Sequence, residues 1–242
     1  MKSVRKIAKA IARGRTLDHR LIIPLAFEVA AQISARPAHE FRTDPTQLTN
    51  GLVELQKLTG ADGIVCSLGW ESELESSQGK GLNLELISSS GPVFASLTSV
   101  GRLRETFEDE SVLVVGVNGP KRLSKQFDLA VEDTFEFFCG LTKKYCEAGV
   151  DVVLLLEDED FSEEEKWCSG VKTAENICKF HQVSLLSWRK SFLEQPSRYP
   201  LLEPSTEGTG FIFTTEIVDY TANINDLADW VERSKGESLG RS

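Results

Sequence analysis

The amino-acid sequence predicts an α/β fold: one (β/α) barrel of the eight-stranded type, incomplete, with fewer than eight full βα units. Short apolar, β-branched runs alternate with longer amphipathic stretches, the pattern of repeated βα units. The run Asp151–Leu156 (DVVLLL) is apolar on both faces, so it requires cover on both faces, as the strands of a parallel sheet do. The 242 residues match one barrel of about 250 residues, with no linker or fixed-period repeat to divide them.

Residues 1–20 set seven basic side chains against the single acid Asp18. Val4, Ile7, Ala8 and Ile11 share one face at helical spacing, as in a basic surface helix; an Arg-rich, acid-poor start also fits an organelle transit peptide. Leu21–Phe27 (LIIPLAF) is the first strand, short or irregular because Pro24 sits inside it. Asp44 before Pro45 pairs an N-cap with a first-turn proline, and Leu48, Leu52, Leu55 and Leu58 form one face of a helix over 45–59. The second strand is Asp62–Ser67, followed by a Ser/Gly/Glu-rich excursion over 69–91. The third is 112–117, after which Asn118-Gly119-Pro120 turns the chain into a long helix ending near Ala148-Gly149. Strand 151–156, an acidic loop and a helix over about 162–180 lead to a fifth strand, 183–187. Gly210–Thr215 is the last strand, and 225–234 closes as a helix with Leu227, Trp230 and Val231 inward.

These strands number six, with 93–97 and 199–203 as weaker candidates. Pro196, Pro200 and Pro204 give 188–208 the composition of a loop, so the deficit of βα units falls there. Strands flanking such a gap need their edges covered, by that loop, by 82–97 or by a second copy of the chain.

With 27 basic and 37 acidic residues the net charge is −10, which repels phosphate backbones and excludes nucleic acid as a natural partner. No apolar run approaches the roughly 20 residues of a membrane-spanning helix. Five cysteines without C-x-x-C spacing read as reduced thiols of a cytoplasmic protein, and His19, His39 and His181 share no metal spacing. Neither a metal nor a cofactor is expected, since GxGxxG, P-loop, nucleophile-elbow and HExxH patterns are absent from the sequence.

Barrels of this kind react at the carboxyl ends of their strands. Ser67 ends the second strand, with Trp70 as a stacking face and Glu71 as an acid just beyond; Cys66 reads as a small core residue. Asn118 precedes a helix N-terminus suited to anions, with Lys121 and Arg122 beside it. Glu157 and Asp158, at the head of the Glu157–Asp160 run, are the acid/base candidates, because clustered carboxylates raise one another's pKa; the same run also fits a solvated N-terminal face. Arg189 is the anion clamp after the fifth strand, and Thr215 lines the mouth after the last.

Several of these pieces resemble the uroporphyrinogen decarboxylase family: Asp18-His19-Arg20 before a strand containing Pro24, and Glu40-Phe41 with Asp44-Pro45 and Gly60-Ala61-Asp62. Gly81–Ser96 with its Gly91-Pro92, Val115–Pro120, Glu147–Asp151 and Gly210–Phe213 are similar too. The resemblance covers nearly the whole chain and implies a shortened, divergent barrel. It implies an enzyme of the decarboxylase or corrinoid-methyltransferase kind acting on a carboxylated or methylated small molecule, with a corrinoid protein or a second copy of the chain as partner. The alternative is a catalytically silent scaffold for ligand or protein binding. Leu25-Ala26-Phe27-Glu28 stands where the decarboxylase carries arginines, Leu68 stands near where it carries its pyrrole-binding aspartate, and His181-Gln182-Val183 lacks the His-x-Cys pair of the zinc-holding methyltransferases. Purified protein is therefore expected to leave uroporphyrinogen unchanged, since removing one preorganised charge costs roughly a hundredfold in rate. Formation of coproporphyrinogen in a clean assay would contradict this.

Overall fold

The computed structural model of the chain describes residues 3–15, 20–69, 72–158, 165–188, 210–214 and 217–239. Helix α1 (Val4–Ala12) precedes β1 (Leu21–Ile23), and α2 (Val29–Ile33), α3 (Ala38–Thr43) and α4 (Pro45–Thr59) precede β2 (Gly63–Leu68). The excursion folds as α5 (Ser72–Ser77), α6 (Leu84–Ile87) and α7 (Gly91–Phe107), before β3 (Val112–Asn118). Next come α8 (Pro120–Phe127), a 3-10 turn at Val131–Thr134, α9 (Phe135–Ala148) and β4 (Val152–Leu156). Last are α10 (Glu165–His181), β5 (Ser184–Trp188), β6 (Phe211–Phe213) and α11 (Ile224–Leu239).

All the pairings are parallel: β2-β3-β4-β5 form one sheet and β1-β6 another. The expected α/β class with parallel strands therefore holds, and each of the six strands lies within its predicted range or within one residue of it. Strand β1 stops at Ile23, just before Pro24, which has no N–H to continue a ladder. Strands β2, β3 and β4 are buried at every residue, as apolar runs covered on both faces must be. The shortage of βα units expected over 188–208, and the candidate strand 199–203, fall almost wholly outside the described residues.

Two expectations need correcting. Residues 93–97 are helical, within α7: Gly91-Pro92 starts that helix, and Ser96, Ser99, Val100, Leu103 and Phe107 bury at helical spacing. The single long helix from Pro120 to Ala148 is broken, because Asp128 takes a left-handed conformation (φ 52°) that ends α8.

The strand starts are joined by a recurring device. Gly60 and Gly149 end α4 and α9 with positive φ (62° and 107°), where a side chain would be strained, and an aspartate follows two residues later. The Asp62 N–H donates to the Ile22 carbonyl, its carboxylate accepts from the Ile22 N–H at 2.9 Å, and its carbonyl accepts from Val112 N–H. Asp151 repeats the pattern: its N–H donates to Leu113, its carboxylate accepts from Leu113 N–H at 3.0 Å, and its carbonyl accepts from Ser184 N–H. Asp62 thereby links β1, the start of one sheet, to β2 and β3 of the other.

Both carboxylates are paired with cations. Lys235 of α11 lies 3.0 Å from Asp62, and Arg5 of α1 donates to Asp151 at 3.0 Å, with Arg104 of α7 on its other oxygen. Asp151 is 1% exposed, so replacing it leaves two guanidiniums without their carboxylate, one of them largely buried. Asp151→Ala is expected to lose roughly 3–5 kcal/mol in urea unfolding. Asp62→Ala is expected to lose less, because Lys235 is more exposed than Arg104.

Candidate functional site

At the opposite end of the sheet the strands β2, β3 and β4 deliver Ser67, Asn118 and Glu157, all buried. A bulge in β2 between Val65 and Ser67 leaves Cys66 unpaired with β3. Cys66 is fully buried and its thiol is pushed up to about 12 by desolvation, as suits a core residue. Ser67 hydrogen-bonds the Tyr145 hydroxyl of α9, which also reaches Ser96 of α7 at 3.2 Å.

Glu157 directly follows β4 and is 2% exposed. Its carboxylate accepts from the Lys121 and Arg122 backbone N–H groups at 3.1 and 3.0 Å, and from the Trp167 indole at 2.8 Å. The N–H groups at the N-terminus of α8, expected to suit a ligand anion, are thus taken by the protein's own Glu157 carboxyl group. The fit is close: a Cβ on Gly119 would lie 2.2 Å from Glu157 Oε1. Burial raises the pKa of Glu157, opposed by these three donors. Asp158 is half-buried and paired with Arg122 at 2.8 Å and Lys125 at 3.7 Å.

Asn118 ends β3 with no exposed surface. Its side-chain amide donates to Glu73 Oε2 at 2.8 Å and to Gln126 Oε1 at 3.1 Å, and its backbone N–H donates to Glu73 Oε1 at 3.3 Å. Glu73, from α5, is 1% exposed, and desolvation pushes it up to about 7, against the pull of the Asn118 backbone and the Arg122 charge. The site therefore holds a carboxyl group that is part protonated and part ionised at neutral pH. Such a group can donate or accept a proton without a large energetic penalty.

The structure brings Glu157 and Asp158 together around α8, places Asn118 against Glu73, and sets Ser67 in the adjoining network with Tyr145. Trp70, Glu71, Arg189 and Thr215 lie outside the described residues. Glu73, Gln126, Tyr145 and Trp167 were not legible as site residues. Glu73 stands among acids at 71, 73 and 75, and its one distinguishing signal is the small face made by Ser72, Ser76 and Ser77, which lets α5 approach α7 closely. Thr214 is buried at the end of β6, where its hydroxyl accepts from Leu25 N–H at 3.0 Å. Among the described residues no three His, Cys, Asp or Glu side chains gather as a metal site. No helix among them is long and apolar enough to cross a membrane.

No family model matches this chain, and no curated protein does. Among solved structures, a methyltransferase from Methanosarcina mazei is similar over 98% of this chain and 99% of its own, with a TM-score of 0.66 and 12% identity. The likeness is one of fold. It extends from the first helix to the last, so the parallel α/β arrangement is shared as a whole and not as one local motif.

The buried Glu73 has a consequence for stability. Between its ordinary value of 4.5 and about 7, the folded chain keeps a proton that the unfolded chain has released. Its contribution to stability is therefore lost progressively as pH rises across that window. Glu73→Gln is expected to flatten the decline in urea stability between pH 5 and 8. An unchanged slope would show that Glu73 does not titrate there.

Proposed function

We propose that the chain is a methyltransferase-like enzyme, a divergent relative of the uroporphyrinogen decarboxylase family on an incomplete (β/α) barrel, acting on a methylated or carboxylated small molecule. The observation that carries this reading is Glu73: a carboxyl group poised near neutrality, oriented by Asn118, at the end of the sheet where such folds react. The whole-chain likeness of fold to a methyltransferase supports methyl transfer as the reaction class. In methyl transfer, the bond between the methyl carbon and its donor heteroatom breaks as the carbon joins an acceptor. The leaving heteroatom then takes its proton from Glu73. In a decarboxylation the same proton would go to the carbon that loses carbon dioxide.

In this reading Asn118 and Gln126 hold Glu73 in place. Glu157, with its ionised form hydrogen-bonded by the α8 backbone and Trp167, anchors the wall of the site, and Asp158 holds Arg122 beside it. Ser67, Trp70, Glu71, Arg189 and Thr215 remain the proposed substrate-facing set at the same strand ends. A corrinoid protein is the proposed methyl acceptor, and a second copy of the chain the proposed cover for the open part of the barrel.

One observation favours the second reading, a silent binding scaffold: the described carboxylates at the strand ends are already engaged by the protein's own donors. The two readings part in one assay. Methylated amines, alcohols and thiols are offered to the purified protein with reduced cobalamin as acceptor, and methylcobalamin is followed by its absorbance. Turnover that falls roughly a hundredfold or more in Glu73→Gln is the expected result. No turnover with any donor, alongside ligand-induced rises in melting temperature, would select the scaffold.

A further inference from the structure

A cavity of about 500 Å³ lies at the other end of the strands, remote from the candidate site. The end of α1, the last turns of α10, the first residues of β5 and Gly210 before β6 enclose it. Its volume falls in the range of small-molecule sites. Ile11, Val183, Leu185 and Leu186 supply an apolar wall.

The charge of the cavity is opposite to that of the chain. Arg15, Arg20 and Lys179 line it against the single acid Glu175, in a protein of net charge −10. Lys179 is already paired with Glu175 at 3.7 Å, whereas Arg15 and Arg20 have no ion pair among the described residues. Two guanidiniums are thus left facing a concave surface, and the guanidinium fork matches carboxylate and phosphate oxygens. The first residues of β5, Ser184, Leu185 and Leu186, line the cavity together with these cations.

We infer that this cavity is a binding site for a small organic anion with an apolar body, its carboxylate or phosphate held by Arg15 and Arg20. The apolar wall takes the body of the ligand, and the cations take the charged end. Binding would fasten the end of α1 to the edge of the sheet. None of these residues belongs to the Glu73 site, so the inference stands or falls apart from the proposed reaction.

The test titrates the full-length protein with phenyl phosphate and with benzoate, using benzyl alcohol and inorganic phosphate as controls, by calorimetry and by amide NMR. The expected result is binding of at least one aromatic anion more tightly than either control, with shifts centred on Ser184–Leu186. The preferred anion identifies the charged group that the site is built for. Arg15→Gln combined with Arg20→Gln should weaken that binding about tenfold or more. Failure of both aromatic anions to bind at millimolar concentration would overturn the inference. So would inorganic phosphate or benzyl alcohol binding as tightly as the aromatic anions, or an affinity unmoved by the two arginine substitutions.

Discussion

The fold depends on two carboxylates that act as backbone connectors. Asp62 and Asp151 each sit one residue before a strand, and each joins the strand before it to the strand after it through N–H, carbonyl and side chain at once. A parallel sheet has no tight hairpins to set its register, so the register must be specified where strands begin. The left-handed glycines Gly60 and Gly149 bring the chain out of its helix at the angle that places each aspartate. The cations that neutralise the pair come from the two ends of the chain, Arg5 from α1 and Lys235 from α11, with Arg104 between. The terminal helices are therefore fastened to the sheet at the same points that set its register.

The opposite end uses carboxylates differently. Glu157 also accepts backbone N–H groups, but those of a helix N-terminus, and Glu73 accepts from one asparagine. Among the described residues neither has an ion pair as close as those of Asp151, and desolvation outweighs the hydrogen bonds, so both acids are raised. Asp62 and Asp151 hold structure through their cation partners and backbone bonds, while a desolvated carboxyl group raised toward neutrality can serve as proton donor and acceptor.

Legibility followed the range of the interaction. The six strands could be read because apolar runs between helices report burial on both faces, a property local to each run. The helix over 45–59 was legible to the residue, since Asp44-Pro45 and Gly60 mark its ends chemically. Residues 93–97 misled because four or five apolar positions do not separate a strand from a buried helical turn; what decides is the helical period that continues to Phe107.

By itself the sequence determined the parallel α/β class and the order of the six strands, because composition and periodicity encode burial along the chain. It also placed Asn118 and Glu157 at the carboxyl ends of the third and fourth strands. Only the tertiary structure decided that the carboxylate on the N-terminus of α8 is Glu157, that Glu73 is buried against Asn118 and raised toward neutrality, and that Arg15 and Arg20 share a cavity with the start of β5. Each of those facts depends on residues tens of positions apart meeting in the packed volume. Desolvation is a property of the packed volume, and no local pattern of residues carries it.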